Sequence, residues 1–439
     1  MSLNSTLAKP SRGYANYVLL ILSIANVLSV ADRGVMSLLL QPIKRDLHAS
    51  DTEMSLLTGV AFVLFYSLFG IPIAQWSDRG NRRSILSIGI GVWSIMTSFC
   101  GFAGSFALMA VARAGVGVGE ATCTPTSMSL IADYYARRAR PRMIALFNIG
   151  AASSAFVVTP FVGVIADHFG WRAAFILLGI PGVIVALLVR FTVREPVRGM
   201  LDEAPQSSPT SLETTTLAGA VRAMLASKPF MLILLGTAIT ALGSSTMGAW
   251  GAALAMRSYH VTATQIASIQ APIVATASIV GGLGGGFLTG WVAAKRKSER
   301  WIILLPALVS LLTVPAGLIY AEAPSFPWYI VGGIGGSFTV AFRAAPFLAL
   351  SLELVPARYR GMAAAATLIA SNVVGGALGP LAVGMLSDHF TPSLGPAQAL
   401  RHGMLLFAPT MLALGVAPFF LAIKYFDENG LKTESRPQG

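Results

Sequence analysis

The chain has 439 residues, 54% of them hydrophobic and only 11% charged, with a net charge of +12 and a mean hydropathy of +0.69. A soluble chain carries about 25% charged residues, so this composition excludes an ordinary soluble domain. It also argues against a nucleic-acid partner, because the positive charge lies in short loops between long apolar runs and fits contact with anionic lipid.

A membrane span needs about 20 mostly apolar residues. Twelve such runs occur in chain order: 14–40, 54–76, 83–104, 107–132, 143–166, 172–193, 229–256, 264–294, 301–320, 327–354, 361–386 and 402–425. The first is too long for a signal peptide, and no small-residue cleavage site precedes another polar domain, so it reads as a retained helix. The loops after even-numbered spans hold most of the Lys and Arg, including Arg79, Arg82 and Arg83, Arg137 and Arg138, Lys295 to Lys297, and Arg358 and Arg360. The loops after odd-numbered spans hold only Lys44, Arg45, Arg172, Arg257 and Arg401. This asymmetry predicts that the even loops and both termini face the cytoplasm. Compact loops and the lack of a targeting tail point to a bacterial inner membrane.

The only cysteines, Cys100 and Cys123, fall inside spans, so neither a disulfide framework nor a metal site is expected. No HExxH, P-loop or serine-triad pattern stands on a suitable scaffold, and the chain is not expected to be an enzyme. The glycine runs at 115–119 and 281–286 lie within spans and predict close helix packing rather than phosphate binding.

The two halves repeat. Asp167-His168-Phe169 matches Asp388-His389-Phe390 at an offset of 221, and Pro160 with Pro380 and Asp133 with Glu353 match at 220. These agreements indicate duplication. The expected order is a tail at 1–13, a six-helix bundle at 14–193, a polar linker at 194–228 with a short amphipathic helix at 215–227, a second bundle at 229–425 and a tail at 426–439. The Asp-His-Phe pairs read as outer helix ends. The expected fold is an all-α membrane protein of twelve transmembrane helices in two pseudo-symmetric bundles, which is the architecture of the major facilitator superfamily.

Several motifs carry a closer resemblance. Ser77-Asp78-Arg79-Gly80-Asn81-Arg82-Arg83 resembles the superfamily's loop motif, with Ala74 and Asn81 in place of two of its glycines. The form D-R-x-N-R followed by Arg is similar to the Spinster family. So are Asp32-Arg33, Gly117-Val118-Gly119-Glu120-Ala121, Ile131-Ala132-Asp133 and Arg194-Glu195-Pro196-Val197-Arg198-Gly199. The resemblance is close in the N-terminal half and mostly architectural in the other. It implies transport of lysolipids or sphingoid phosphates, some of it proton-dependent. After Gly-Glu-Ala the chain departs from the family as Thr122-Cys123-Thr124-Pro125. Glu120-Ala121 followed by Pro125 also resembles the organic-anion:proton symporters of the same superfamily, which share the Asp-Arg of the first span.

Ionisable residues inside spans are costly and mark pathways. Asp32, Arg33, Arg113 and Glu120 lie in the first bundle. Arg113 and Glu120, seven residues apart, share a helix face about 10 Å apart along the axis. Asp32 lies at a depth that matches Arg113, and Glu120 lies where Arg33 reaches. Burial disfavours an ionised carboxylate and a neighbouring arginine favours it, so a group balanced between the two exchanges a proton as its surroundings change. Asp32 and Glu120 are the expected proton-coupling residues, with Arg33, Arg113 and Arg343 pairing with charge or substrate. A buried structural network is the competing reading. Arg343, the only charge away from the ends of the C-terminal spans, maps by the repeat to the level of Cys123. Substrate contact and structural pairing both stay open for it.

Asp78, Arg79, Arg82, Arg83, Asp133, Arg137 and Arg138 are the expected cytoplasmic gate, in which the superfamily motif implies that Asp78 pairs across the halves. No cofactor is expected beyond the coupling proton, and the expected partners are membrane lipids and a small amphipathic substrate, with the chain a monomer. Three cargo classes remain: a lysolipid-type amphiphile, a small organic anion such as a sugar acid, or diverse drugs. The spans hold few Asn and Gln, among them Asn26, Asn148, Gln270 and Asn372, which favours the amphiphile.

Overall fold

The computed structural model describes residues 11–199, 201 and 216–428. The first ten residues, most of the central linker and the tail from 429 lie outside them. The described residues are helical throughout, with no strand among them. In hydrocarbon every backbone N–H and C=O needs an internal partner, which only helices or a closed barrel provide.

Membrane-length helices are α1 Arg12–Asp46, α2 Asp51–Arg79, α3 Arg82–Cys100 and α4 Phe106–Tyr134. Next come α5 Arg140–Ala152 and α6 Val158–Thr192, joined through a 3₁₀ turn at Ser153–Ala155. The short α7 Leu217–Ala226 precedes α8 Lys228–Tyr259, α9 Ala263–Arg296, α10 Arg300–Glu322, α11 Phe326–Glu353 and α12 Ala357–Phe426. By length and composition ten segments qualify as spans, fewer than the twelve expected. The two longest, Arg140–Thr192 and Ala357–Phe426, each hold two of the expected runs. Each is broken at a glycine, Gly170 with φ 84° and Gly395 with φ 74°, where a side chain is disfavoured. The segment count is therefore consistent with twelve crossings.

The helix starts show the repeat more clearly than the residues do. Before α2, Ser50 accepts from the Glu53 amide at 3.0 Å while the Glu53 carboxylate accepts from the Ser50 amide at 2.7 Å. Before α9, Thr262 and Gln265 make the same reciprocal pair at 3.2 and 2.9 Å. Each box satisfies two amides that a helix start leaves without partners. Each helix then passes through a π-helical turn, Leu56–Val60 in α2 and Ile266–Gln270 in α9.

Two compact units emerge. One holds the described residues within Met1–Val35 and Phe65–Leu212, the other those within Met36–Leu64 and Glu213–Gly439. The division thus falls inside α1 and α2 as well as within the linker.

In the second unit, glycines set the contact of α9 with α11. A Cβ on Gly281 would lie 2.3 Å from the Phe338 carbonyl oxygen, and one on Gly285 only 1.9 Å from that of Phe342. This four-residue spacing of small residues lets two backbones meet. Gly285→Ala is expected to force the helices apart at a cost of about 1–3 kcal/mol. A melting temperature equal to wild type would refute that contact.

Candidate functional site

In the first unit, α1, α3 and α4 bring four charges together in two pairs. Arg113 donates through Nη1 to Asp32 Oδ2 at 3.1 Å, and Thr97 on α3 donates to Asp32 Oδ1 at 3.0 Å. Two turns further along α4, Arg33 Nε donates to Glu120 Oε2 at 2.8 Å, Ser29 donates to the same oxygen at 2.9 Å, and Arg33 Nη2 donates to Ser29 at 3.1 Å. Asp32, Arg113 and Glu120 are almost wholly buried, whereas the Arg33 side chain is 40% exposed and lies over the Tyr66 ring. Arg33 is therefore the member of the group that solvent or a ligand reaches. The other Glu120 oxygen, Oε1, is buried with no hydrogen-bond partner. A buried carboxylate oxygen without a partner is costly.

The chain places Glu120 at a break. Regular helical hydrogen bonding runs from Phe106 to Glu120 and resumes at Cys123, while Ala121 and Thr122 keep helical backbone angles. Pro125 brings no N–H to bond the carbonyl of Ala121. Thr122 donates both its hydroxyl, at 2.8 Å, and its amide, at 3.2 Å, to the Gly119 carbonyl. The Thr-Cys-Thr-Pro departure thus has a local consequence next to the carboxylate.

At the other end of this unit, Arg82 is 1% exposed and fully engaged. It pairs with Asp133 and with Glu195 Oε1 (2.7 Å), and also donates to Ser129 Oγ (3.0 Å) and the Pro196 carbonyl (3.0 Å). Glu195 also accepts from the Arg83 amide at 2.8 Å, and Arg198 donates to the carbonyls of Ser77 and Gly80. The Arg-Glu-Pro-Val-Arg-Gly segment therefore folds onto the Asp-Arg-Gly-Asn-Arg-Arg loop. Among the expected gate residues, Asp133 meets Arg82 and not Arg137 or Arg138, which are exposed. Asp78 and Arg79 are exposed as well, with no side-chain partner among the described residues.

A family model described as Major Facilitator Superfamily matches residues 22–380. The chain belongs to this superfamily. An MFS-type efflux pump of Mycolicibacterium smegmatis is 29% identical over 405 residues, covering 92% of this chain and 91% of the relative. Protein spinster homolog 1 of Xenopus tropicalis is 27% identical over 436 residues, 94% of this chain and 81% of the relative. A crystal structure of a bacterial homologue of the human lysosomal transporter Spinster, inward-facing and unoccupied, has a TM-score of 0.84 at 29% identity. That match covers 96% of this chain and 99% of the other. The Spinster resemblance thus extends over nearly the whole transporter, beyond the N-terminal motifs.

The second unit of this superfamily member holds Arg343 and a network that the sequence reading passed over. Arg343 on α11 is 6% exposed, its guanidinium lies 5.9 Å from the centre of the Phe419 ring, and its Nη1 is buried without a partner. No carboxylate pairs with it among the described residues. The missed network centres on Asp51, which is fully buried. Arg257 grips Asp51 with two bonds, Nη1–Oδ2 at 2.8 Å and Nη2–Oδ1 at 2.6 Å, while Lys44 and Ser387 also bond its carboxylate. Gln41 accepts from Arg257 Nε at 2.7 Å. Asp388 accepts from the amides of Asp51 and Thr52 at 2.9 and 2.7 Å, capping α2 a second time. The repeated Asp-His-Phe, read from sequence as a helix end, supplies this cap. Its two aspartates and the isolated Arg257 in a cation-poor loop were the available signal.

Proposed function

We propose that the chain is a proton-coupled secondary transporter that moves an amphipathic anion or zwitterion of lysolipid or sphingoid-phosphate type by alternating access. The observation that carries this reading is the doubled ion pair of Asp32–Arg113 and Arg33–Glu120, with one Glu120 oxygen left without a partner. Protonating Glu120 would weaken its hold on Arg33, the exposed member, and release that guanidinium for an anionic headgroup. Asp32 would act on Arg113 in the same way. In the second unit Arg343, a cation with no paired carboxylate among the described residues, is a candidate contact for an anion. The gate belongs to the same proposal: Arg82, Asp133 and Glu195 brace the loop that presents Asp78 and Arg79. So do a bacterial inner-membrane location, cytoplasmic termini, a monomer and the proton as sole coupling agent.

Proteoliposomes with an imposed pH gradient test the reading. Accumulation of lysophosphatidylglycerol, and not of a sugar acid, is expected. Sugar-acid uptake without lysolipid flux would sink it. The relation to an efflux pump over 92% of the chain favours a second reading, drug export, which gradient-driven extrusion of an apolar dye without lysolipid flux would establish. A charge-assisted hydrogen bond contributes about 1.5–3 kcal/mol, so Arg343→Ala is expected to raise KM by about 10- to 100-fold and Arg343→Lys by less. An unchanged KM in Arg343→Ala would remove Arg343 from the substrate site.

A further inference from the structure

The first unit contains a cleft of about 720 Å³ that the ionic site does not use. Its walls are the start of α1, the end of α4 and the start of α5. Two cations, Arg12 and Arg142, stand among its lining residues and no acid does. Both arginines are exposed. Ala139, just before α5, offers no side-chain cap, so the positive end of that helix adds to the same field.

Beyond the arginines the lining turns apolar, with Leu19 on α1 facing Met143 and Leu146 on α5. Asn16 and Tyr135 interrupt it near the mouth, where the Tyr135 hydroxyl donates to the Asn16 side-chain oxygen at 3.0 Å. The cleft closes where the helices touch. A Cβ on Gly150 would lie 3.2 Å from Ser23 Cβ, and the Asn26 amide donates to the Phe147 carbonyl at 3.3 Å. From Arg12 to Ser23 is eleven residues, about 16 Å along α1. A cationic mouth, an apolar groove of that length and a closed end fit one charged headgroup with one hydrocarbon chain.

We infer that this cleft is a reception site for a single-chain anionic amphiphile, with the headgroup between Arg12 and Arg142 and the chain along Leu19, Met143 and Leu146. The inference rests on the transport reading above and gives it an entry point. The helix that lines the cleft is the one that carries Ser29, Asp32 and Arg33, so a ligand held here lies against the same helix as the ion pairs. Volume alone admits many ligands. The absence of any lining acid selects an anion, and the narrowing at Ser23 and Gly150 selects one chain over two.

The test is native mass spectrometry of the purified full chain with lysophosphatidylglycerol, lysophosphatidylcholine and diacyl phosphatidylglycerol as probes. Wild type is expected to retain lysophosphatidylglycerol about tenfold more tightly than either of the others. Arg12→Ala with Arg142→Ala is expected to abolish the preference, Arg12→Lys with Arg142→Lys to keep most of it, and Ser23→Trp to weaken both lysolipids by filling the narrow end. Melting temperatures serve as fold controls, and both arginines are exposed enough to be replaced without loss of the fold. Equal retention of lysophosphatidylglycerol by the alanine pair overturns the inference, as does a preference for the diacyl lipid, which would assign the cleft to the bilayer. Binding here without lysolipid flux in proteoliposomes would sink the transport reading alone. Lysolipid flux with an unchanged KM in the alanine pair would sink the reception site alone.

Discussion

Glu120→Gln is expected to abolish accumulation driven by a pH gradient while substrate counterflow continues. Glutamine keeps the size of the side chain and an oxygen for Ser29 and Arg33, but it has no titratable proton. The environment tolerates the change, because Arg33 is 40% exposed and water compensates its charge. Asp32→Asn is expected to uncouple transport too, at a higher structural cost. It takes a carboxylate from Arg113, which is 1% exposed, and breaking such a buried pair costs about 3–5 kcal/mol. Uptake by reconstituted protein, with and without a gradient and normalised to folded protein, separates the two effects. At least a tenfold loss of gradient-driven accumulation with near-normal counterflow is the expected pattern. Undiminished gradient-driven uptake by both variants would sink proton coupling at this site and leave the pairs as braces between helices.

Much of the fold was legible because a bilayer leaves few choices. Each apolar run had to be a helix, and the runs alone gave their places. The sequence did not reveal the sharp turns at Gly170 and Gly395, where a left-handed φ ends one helix and the next begins with almost no loop between them. The ion pairs of the first unit were legible for a similar reason. Four charges in apolar helices have few positions, and the register of α1 against α4 follows from their depth. The Asp51 network was hidden because its members look ordinary one at a time. Asp51 sits in a helix-start pattern, Arg257 among loop cations and Asp388 at a helix end. Only the fold brings positions 51, 257 and 388 together, and nothing local in the sequence encodes that meeting. Arg82 shows the same limit. In sequence it is one of a run of loop arginines, all expected at the gate, yet of Arg79 and Arg82 it alone is buried, bonded to Asp133 and Glu195, while Arg79 is exposed.

Arg257→Met is expected to be among the most destabilising single changes in the second unit. Asp51 would keep Lys44 and Ser387 but lose a two-bond arginine from a site with no solvent access. Such a loss costs about 3–5 kcal/mol, more than an exposed ion pair contributes. Asp51→Leu is expected to cost a similar amount, since it strands a guanidinium whose remaining hydrogen bonds go to Gln41 and the Pro396 carbonyl. The double variant Asp51→Leu with Arg257→Met is the discriminating one. It removes both charges, keeps the Asp388 bonds to the backbone amides at positions 51 and 52, and fills the space with apolar atoms. Replacing a buried pair by hydrophobic residues is often neutral, so the double should be less destabilised than the sum of the singles, by about 2 kcal/mol or more. Unfolding titrations of the four proteins in one detergent measure this coupling. Strictly additive losses would show that Asp51 and Arg257 act independently and that the bonds between them do not hold this part of the unit together.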